Sequence, residues 1–123
     1  MYKPLDTTAY PQDPGSCLAH PNLVDGWYCY VQDQHGMIWV LPAGHRVHVK
    51  VLGRGQEAMY AGEMEIQAGR IQKVTNSSGT FMPDDPQGLL DVARQLKKQG
   101  LFTEPGAVIF MDHFGTARPV TLA

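Results

Sequence analysis

Most of the segment spanning residues 44–83 alternates between apolar and polar side chains with a period of two, and this pattern constrains the fold more than any other. Successive side chains of a β-strand point to opposite faces of a sheet, so a period of two indicates strands. Short glycine-containing runs interrupt the alternation and are typical of tight turns. The segment is therefore predicted to be a β-meander.

Three strands are predicted within this segment, at residues 46–52, 58–66 and 71–76. Glu63 and Glu65 are expected on the outer face of the second strand. Gly62, in the middle of that strand, weakens it unless a bulge or a close neighbour requires a glycine there. The first strand is expected to carry apolar side chains on one face and polar side chains on the other. The apolar ones are Val47, Val49 and Val51, and the polar ones are Arg46, His48 and Lys50.

A β-hairpin is predicted before this segment, because aromatic and apolar runs at residues 26–31 and 37–41 enclose an Asp-Gln-His-Gly turn sequence. After the segment, residues 107–111 and 117–122 predict two more strands. Pro119 confines the last of these to a sheet edge, since proline cannot donate to the ladder.

The one predicted helix follows residue 83. Asp84 or Asp85 supplies its N-cap, Pro86 suits its first turn, and Gly100 is a natural stop. Its apolar residues recur at helical spacing, which favours packing on one face of the sheet. These are Leu89, Val92, Ala93 and Leu96.

The fold class that these elements predict is α+β, with an antiparallel β-meander of about six strands and one helix packed on a face. At 123 residues the chain has the length of one domain. Residues 1–22 contain four prolines and are expected to form an irregular N-terminal arm, and residues 23–123 the single α+β domain.

Composition narrows the classes of function. The net charge of −2 argues against nonspecific nucleic-acid binding, which depends on clustered Lys and Arg. No apolar run is long enough to span a bilayer, and the N-terminus does not resemble a secretory signal, so a cytoplasmic protein without membrane contact is expected.

No cofactor or metal is expected. His45 and His48 would lie on opposite faces of a strand, which does not suit a metal pair. Cys29 lies in an apolar strand pattern and is interpreted as a buried free thiol, although a disulfide with Cys17 is left open.

His48 and Glu63 form the first candidate site. If their strands pair with these residues opposite each other, the carboxylate raises the imidazole pKa and the pair suits general-base catalysis or binding. The alternative is a solvated outer face with weak charge pairs, which any half-exposed sheet shows.

Residues 76–80 form the second candidate site, with Asn76, Ser78, Gly79 and Thr80 as ligand-binding candidates and Ser78 also as a catalytic one. Hydroxyls and amide groups in such a segment suit an anion or oxyanion. The alternative is a structural turn in which Asn76 and Ser78 bond their own backbone and Gly79 takes a positive φ. No lysine follows the glycine, so this is not a phosphate loop.

Three sequence runs carry a family resemblance: HVKVLGRG at 48–55, YAGEMEIQAGRI at 60–71 and VTNSSGTFMP at 74–83. Together they resemble a poorly characterised bacterial domain that occurs as standalone hypothetical proteins and in toxin- or effector-like proteins. The resemblance implies that certain residues match recurring positions of that group. These are His48, Glu63, Asn76, Ser78, Gly79 and Thr80.

The resemblance also implies a difference. Similar domains carry His and Tyr after the Ser-Gly pair, where this chain has Thr80 and Phe81. If that histidine is catalytic in the group, this chain lacks it, which argues against an enzyme.

Two hypotheses of function follow. The preferred one is a noncatalytic interaction module that binds another protein, in a toxin, effector or immunity context. The alternative is a small enzyme or ligand-binding domain whose site is formed by His48, Glu63 and residues 76–80. The alternative requires these side chains to converge on one concavity.

Overall fold

Over the residues that the structure describes, the fold is a seven-stranded mixed sheet with two helices. The computed structural model describes residues 1–6, 8–44 and 47–121, without the side chains of residues 103–106. In chain order the elements are β1 (Cys17–Leu18), β2 (Gly26–Gln32), β3 (Ile38–Pro42), α1 (His48–Leu52), β4 (Tyr60–Gln67), β5 (Arg70–Thr75), α2 (Pro86–Lys98), β6 (Phe102–Met111) and β7 (Ala117–Val120). The strand order across the sheet is β1-β3-β2-β4-β5-β6-β7.

The predicted hairpin is confirmed as β2 and β3, which pair antiparallel with Tyr30 opposite Val40. On its other side β2 pairs antiparallel with β4, with Tyr30 opposite Gly62. The predicted edge strand is also confirmed, because β7 is the last strand of the sheet and contains Pro119.

The prediction of a purely antiparallel meander is wrong, because β5 and β6 run parallel. Parallel neighbours need a crossover connection, and α2 supplies it between them. The helix itself was predicted correctly: Pro86 is its first residue, and the Asp85 side chain accepts a hydrogen bond from Gln87 N at 3.0 Å. Periodicity identifies a strand but not its direction, so the parallel pair was not visible in the sequence.

The strand predicted at residues 46–52 is also wrong, because residues 48–52 form the short helix α1. Its alternating valines favour a strand only weakly, and tertiary packing routinely overrides such a preference. Val51 and Leu52 are buried against the sheet, which holds the helix in place. Arg46 and His45, also named in the sequence-based expectations, lie outside the described residues.

The N-terminal arm caps α1. Ser16 Oγ and Gln12 Nε2 both donate to Val51 O, at 2.7 and 3.0 Å, and Asp13 N donates to Lys50 O at 2.9 Å. Carbonyls at the end of a helix lack partners within the helix, so the arm satisfies groups that a five-residue helix leaves open.

The core has two parts, one on each face of the sheet. Tyr28 and Tyr30 belong to the cluster that contains the buried residues of α2, whereas Cys29 and Val31 belong to the cluster that contains those of α1. Because neighbouring residues of β2 point to opposite faces, the two helices cover opposite sides. The cysteines are free, and Cys29 is buried as expected. Among the described residues, no helix is both long enough and apolar enough to cross a membrane.

Candidate functional site

A cavity of about 290 Å³ lies where α1 meets β4 and the loop after β5. We call it the polar cavity. His48 and Glu63 contribute from α1 and β4, and Ser77, Ser78, Gly79 and Thr80 from the loop. Gly44, Val47 and Cys29 complete the lining. Residues predicted from three separate parts of the sequence therefore meet at one concavity.

His48 is buried, with its Nε2 atom 2.8 Å from Gly62 O. A carbonyl oxygen only accepts hydrogen bonds, so Nε2 carries the proton and the neutral ring keeps a lone pair on Nδ1. Burial lowers the pKa of His48, and the hydrogen bond to Gly62 offsets this only in part. The alternative in which Glu63 pairs with His48 and raises its pKa is therefore wrong, because the hydrogen-bond partner of His48 Nε2 is the carbonyl of Gly62 rather than the Glu63 carboxylate.

The lowered pKa of His48 predicts that acid destabilises the fold. Below the unfolded-state pKa of about 6.5, the unfolded chain takes up a proton that the folded chain resists. Stability is thus fully present above that pH and falls as the pH drops, by at most ~1.4 kcal/mol per pH unit for one group. We expect urea midpoints to decrease from pH 7 to pH 5, and to decrease less in His48→Gln. Equal slopes in both proteins would contradict this assignment.

Glu63 lies opposite Cys29 in the pairing of β4 with β2, and its side chain is half-buried. Burial, together with the charge of Glu63, raises the pKa of the Cys29 thiol to about 11. The thiol is therefore protonated at neutral pH, and only the thiolate is a strong nucleophile. Cys29 thus contributes surface to the cavity rather than reactivity. The sequence does not show this role directly. Only the alternation along β2 places Cys29 on the opposite face of the sheet from the neighbouring tyrosines.

Asn76 does not line the polar cavity. Its Nδ2 atom donates to Pro83 O at 3.0 Å and Met111 O at 2.9 Å, and its Oδ1 atom accepts from Met111 N at 2.7 Å. These bonds tie the loop to β6. The role of Asn76 is therefore to anchor the loop through backbone groups far along the chain, rather than through its own turn.

Ser78 shapes the loop, with its Oγ atom accepting from Phe81 N at 3.2 Å and its carbonyl accepting from Met82 N at 2.9 Å. The expected positive φ at Gly79 is wrong, and Met82 adopts one instead, at 46°. A Cβ atom built on Gly79 would meet nothing within 4 Å. The glycine therefore keeps space open rather than permitting a turn.

The His48 ring and the Ser78 hydroxyl form hydrogen bonds with backbone groups and not with each other. A serine nucleophile needs a base within hydrogen-bonding reach. These two candidates therefore share a cavity without forming a nucleophile–base pair. In the part of the chain that the structure describes, no group of three metal-ligating side chains is present either.

The loop also borders a second concavity, of about 310 Å³, which we call the apolar groove. Ser77, Ser78 and Gly79 line both the groove and the polar cavity. The rest of the groove comes from the segment before α2, from the end of β6 and from the turn that follows it. Its residues there are Met82, Pro83, Asp84, Phe110, Met111, Asp112, His113 and Gly115, together with Asn76 from the end of β5.

Comparison with known proteins adds no relative: no family model, curated protein or solved structure matches the chain. The resemblance to a bacterial domain therefore stays a prediction, and the geometry of the site carries the argument about function.

Proposed function

We propose that the protein is a small ligand-binding domain whose site is the polar cavity. The observation that carries this proposal is the shared lining, in which His48, Glu63 and residues 77–80 face one space of about 290 Å³. Binding cavities start at about 300 Å³, so this one suits a small molecule. That volume favours a small ligand over a docked protein. The sequence alone instead made binding of another protein the preferred hypothesis.

The ligand class follows from the groups on the walls. Glu63 supplies a carboxylate, His48 a neutral imidazole, and Ser77, Ser78 and Thr80 supply hydroxyls. A carboxylate accepts hydrogen bonds and attracts cations, while hydroxyls both donate and accept. The cavity is therefore suited to a small amine or another polar ligand that presents N–H or O–H groups.

Binding fits these residues better than catalysis does. Burial keeps the thiol of Cys29 protonated, and the side chains of Ser78 and His48 form hydrogen bonds with nearby backbone groups. Covalent catalysis needs an activated nucleophile, and none of these arrangements supplies one. The absence of the histidine that similar domains carry at position 80 points in the same direction.

Ligand-observed NMR with matched sets of small amines, neutral polyols and carboxylates tests the proposal. We expect the amines to bind best, and Glu63→Gln to weaken their binding about tenfold or more, since a hydrogen bond to a charged group contributes ~1.5–3 kcal/mol. Glu65→Gln is the matched control, because Glu65 lies on the same face of β4 and does not line the cavity. Equal binding of all three sets, or equal losses in both variants, would count against the site.

Filling the cavity is a second test. Gly79→Leu places a side chain in open space at a position without positive φ, so the fold should tolerate it. We expect thermal unfolding to stay close to that of the unmodified protein while amine binding is lost. Undiminished binding in a folded Gly79→Leu protein would show that the ligand lies elsewhere.

A further inference from the structure

The apolar groove is bordered by large apolar side chains that are exposed to solvent. Met82 is 57% exposed and Met111 is 40% exposed, and both line the groove. Phe114 is 93% exposed and lies between His113 and Gly115, which also line it. Exposed apolar side chains that gather at one concavity mark an interaction site more often than isolated ones do.

The backbone at the exposed Met82 has an unusual conformation. Its φ of 46° is unusual for a residue other than glycine, since a Cβ atom crowds the backbone there. The hydrogen bond from Met82 N to Ser78 O and the burial of the preceding residue, Phe81, fix the turn that leads into this conformation. This conformation costs free energy, and the neighbouring residues enforce it. We therefore attribute it to a contact that the exposed side chain makes with a partner rather than to a requirement of folding.

Charge at the groove indicates what the contact would be. Asp84 and Asp112 carry the formal charges of the described lining, and the Asp84 side chain is 55% exposed. His113 lies beside Asp84, with Nε2 3.7 Å from Oδ2. The Arg118 guanidinium lies 5.3 Å from the ring centroid of Phe110, which lines the groove. An apolar groove with carboxylates at its rim complements a cation attached to an apolar body.

We propose that the apolar groove binds a peptide segment of a partner protein in which a lysine or arginine lies next to a bulky apolar residue. The apolar side chain packs against Met82, Met111 and Phe114, while the cation pairs with Asp84 at the rim. Methionine suits such a surface, because its flexible side chain adapts to different partners. The site is separate from the polar cavity except for the shared residues 77–79.

Selection of short random peptides displayed on phage, against the immobilised protein, tests the partner chemistry. We expect the enriched peptides to combine a basic residue with a neighbouring large apolar residue. Enrichment of acidic peptides, or of none, would overturn the proposal.

One peptide from that selection is then synthesised with a fluorescent label, and its affinity for variants of the protein locates the site. Phe114→Ser should weaken it about tenfold, as expected of an aromatic anchor. Asp84→Asn keeps an acceptor for the Tyr2 hydroxyl while removing the charge, and should weaken it about threefold, with a smaller dependence on salt. Met37→Ser is the matched control, because Met37 is 43% exposed and lies outside the groove.

The same peptide separates this proposal from the proposed function. Glu63→Gln should leave its affinity unchanged, since Glu63 lines only the polar cavity. Peptide affinity that falls with Glu63→Gln and not with Phe114→Ser would place the peptide in the polar cavity and refute the groove as its site.

Discussion

Replacing Gly62 with alanine is expected to destabilise the protein by ~3 kcal/mol or more, the upper end of the cost of overpacking a core. A Cβ atom at this position would lie 1.8 Å from Thr75 O and 2.7 Å from Thr75 C. These are backbone atoms of β5, the strand beside β4, so no side-chain rotation relieves the contact. Because domains are stable by only ~5–15 kcal/mol, much of the protein is expected to unfold at moderate temperature.

The substitution should also weaken two hydrogen bonds beside the clash. Thr75 O accepts a hydrogen bond from the Tyr30 hydroxyl at 2.6 Å, and Gly62 O is bonded to His48 Nε2 at 2.8 Å. Moving the two backbones apart strains both bonds, and one of them holds α1 against the sheet. Urea denaturation followed by circular dichroism measures the loss of stability.

Gly79→Ala is the matched control, since its Cβ atom meets nothing within 4 Å and its φ is not positive. It should change stability by less than about 1 kcal/mol. Similar midpoints for Gly62→Ala and Gly79→Ala would mean that the close approach of the two strands is not required.

Gly62 also illustrates what the sequence can predict. A glycine inside a clear strand pattern suggested a bulge or a close neighbour, and the neighbour is Thr75. Local patterns of this kind were sufficient for the hairpin, β4, β5, the capped helix and the proline-bearing edge strand. In each case the information lies within a few residues, as turn chemistry, alternation or capping.

The errors have the opposite origin. The short helix α1 depends on burial of Val51 and Leu52 and on caps from Ser16 and Gln12, all of which are set by tertiary structure. Strand direction at β5 and β6 likewise depends on where α2 returns the chain. Alternation over five to seven residues does not distinguish these outcomes.

The candidate site was predicted in part, and by a route that the structure does not follow. The sequence offered one route by which His48 and Glu63 could meet, as neighbours on paired strands, whereas a helix packed on the sheet brings His48 to the cavity. The partner of Asn76 is Met111, 35 residues away in sequence. The apolar groove was missed altogether, because its exposed apolar residues come from two loops without any periodic pattern.

The anchoring of the loop by Asn76 leads to the second large effect. Asn76→Ala should destabilise the fold by ~2–4 kcal/mol, since it leaves the buried carbonyl of Pro83 and the partly buried N–H and carbonyl of Met111 without their partners, at a cost of ~1–3 kcal/mol for a buried group. Asn76→Asp should cost a similar amount, because its carboxylate still accepts from Met111 N but cannot donate to either carbonyl. Thermal and urea unfolding measure both.

Loss of this anchor should also affect function at both concavities, because the loop that Asn76 holds lines each of them. At a temperature where Asn76→Ala is still folded, we expect weaker binding of both the amine at the polar cavity and the peptide at the apolar groove. Asn22→Ala is the matched control, since Asn22 is exposed, lines neither concavity and makes its hydrogen bond to His20 Nδ1 through its backbone N–H. A folded Asn76→Ala protein that binds both probes normally would show that the loop is held by Phe81 and its neighbours instead, and that the amide contributes stability alone.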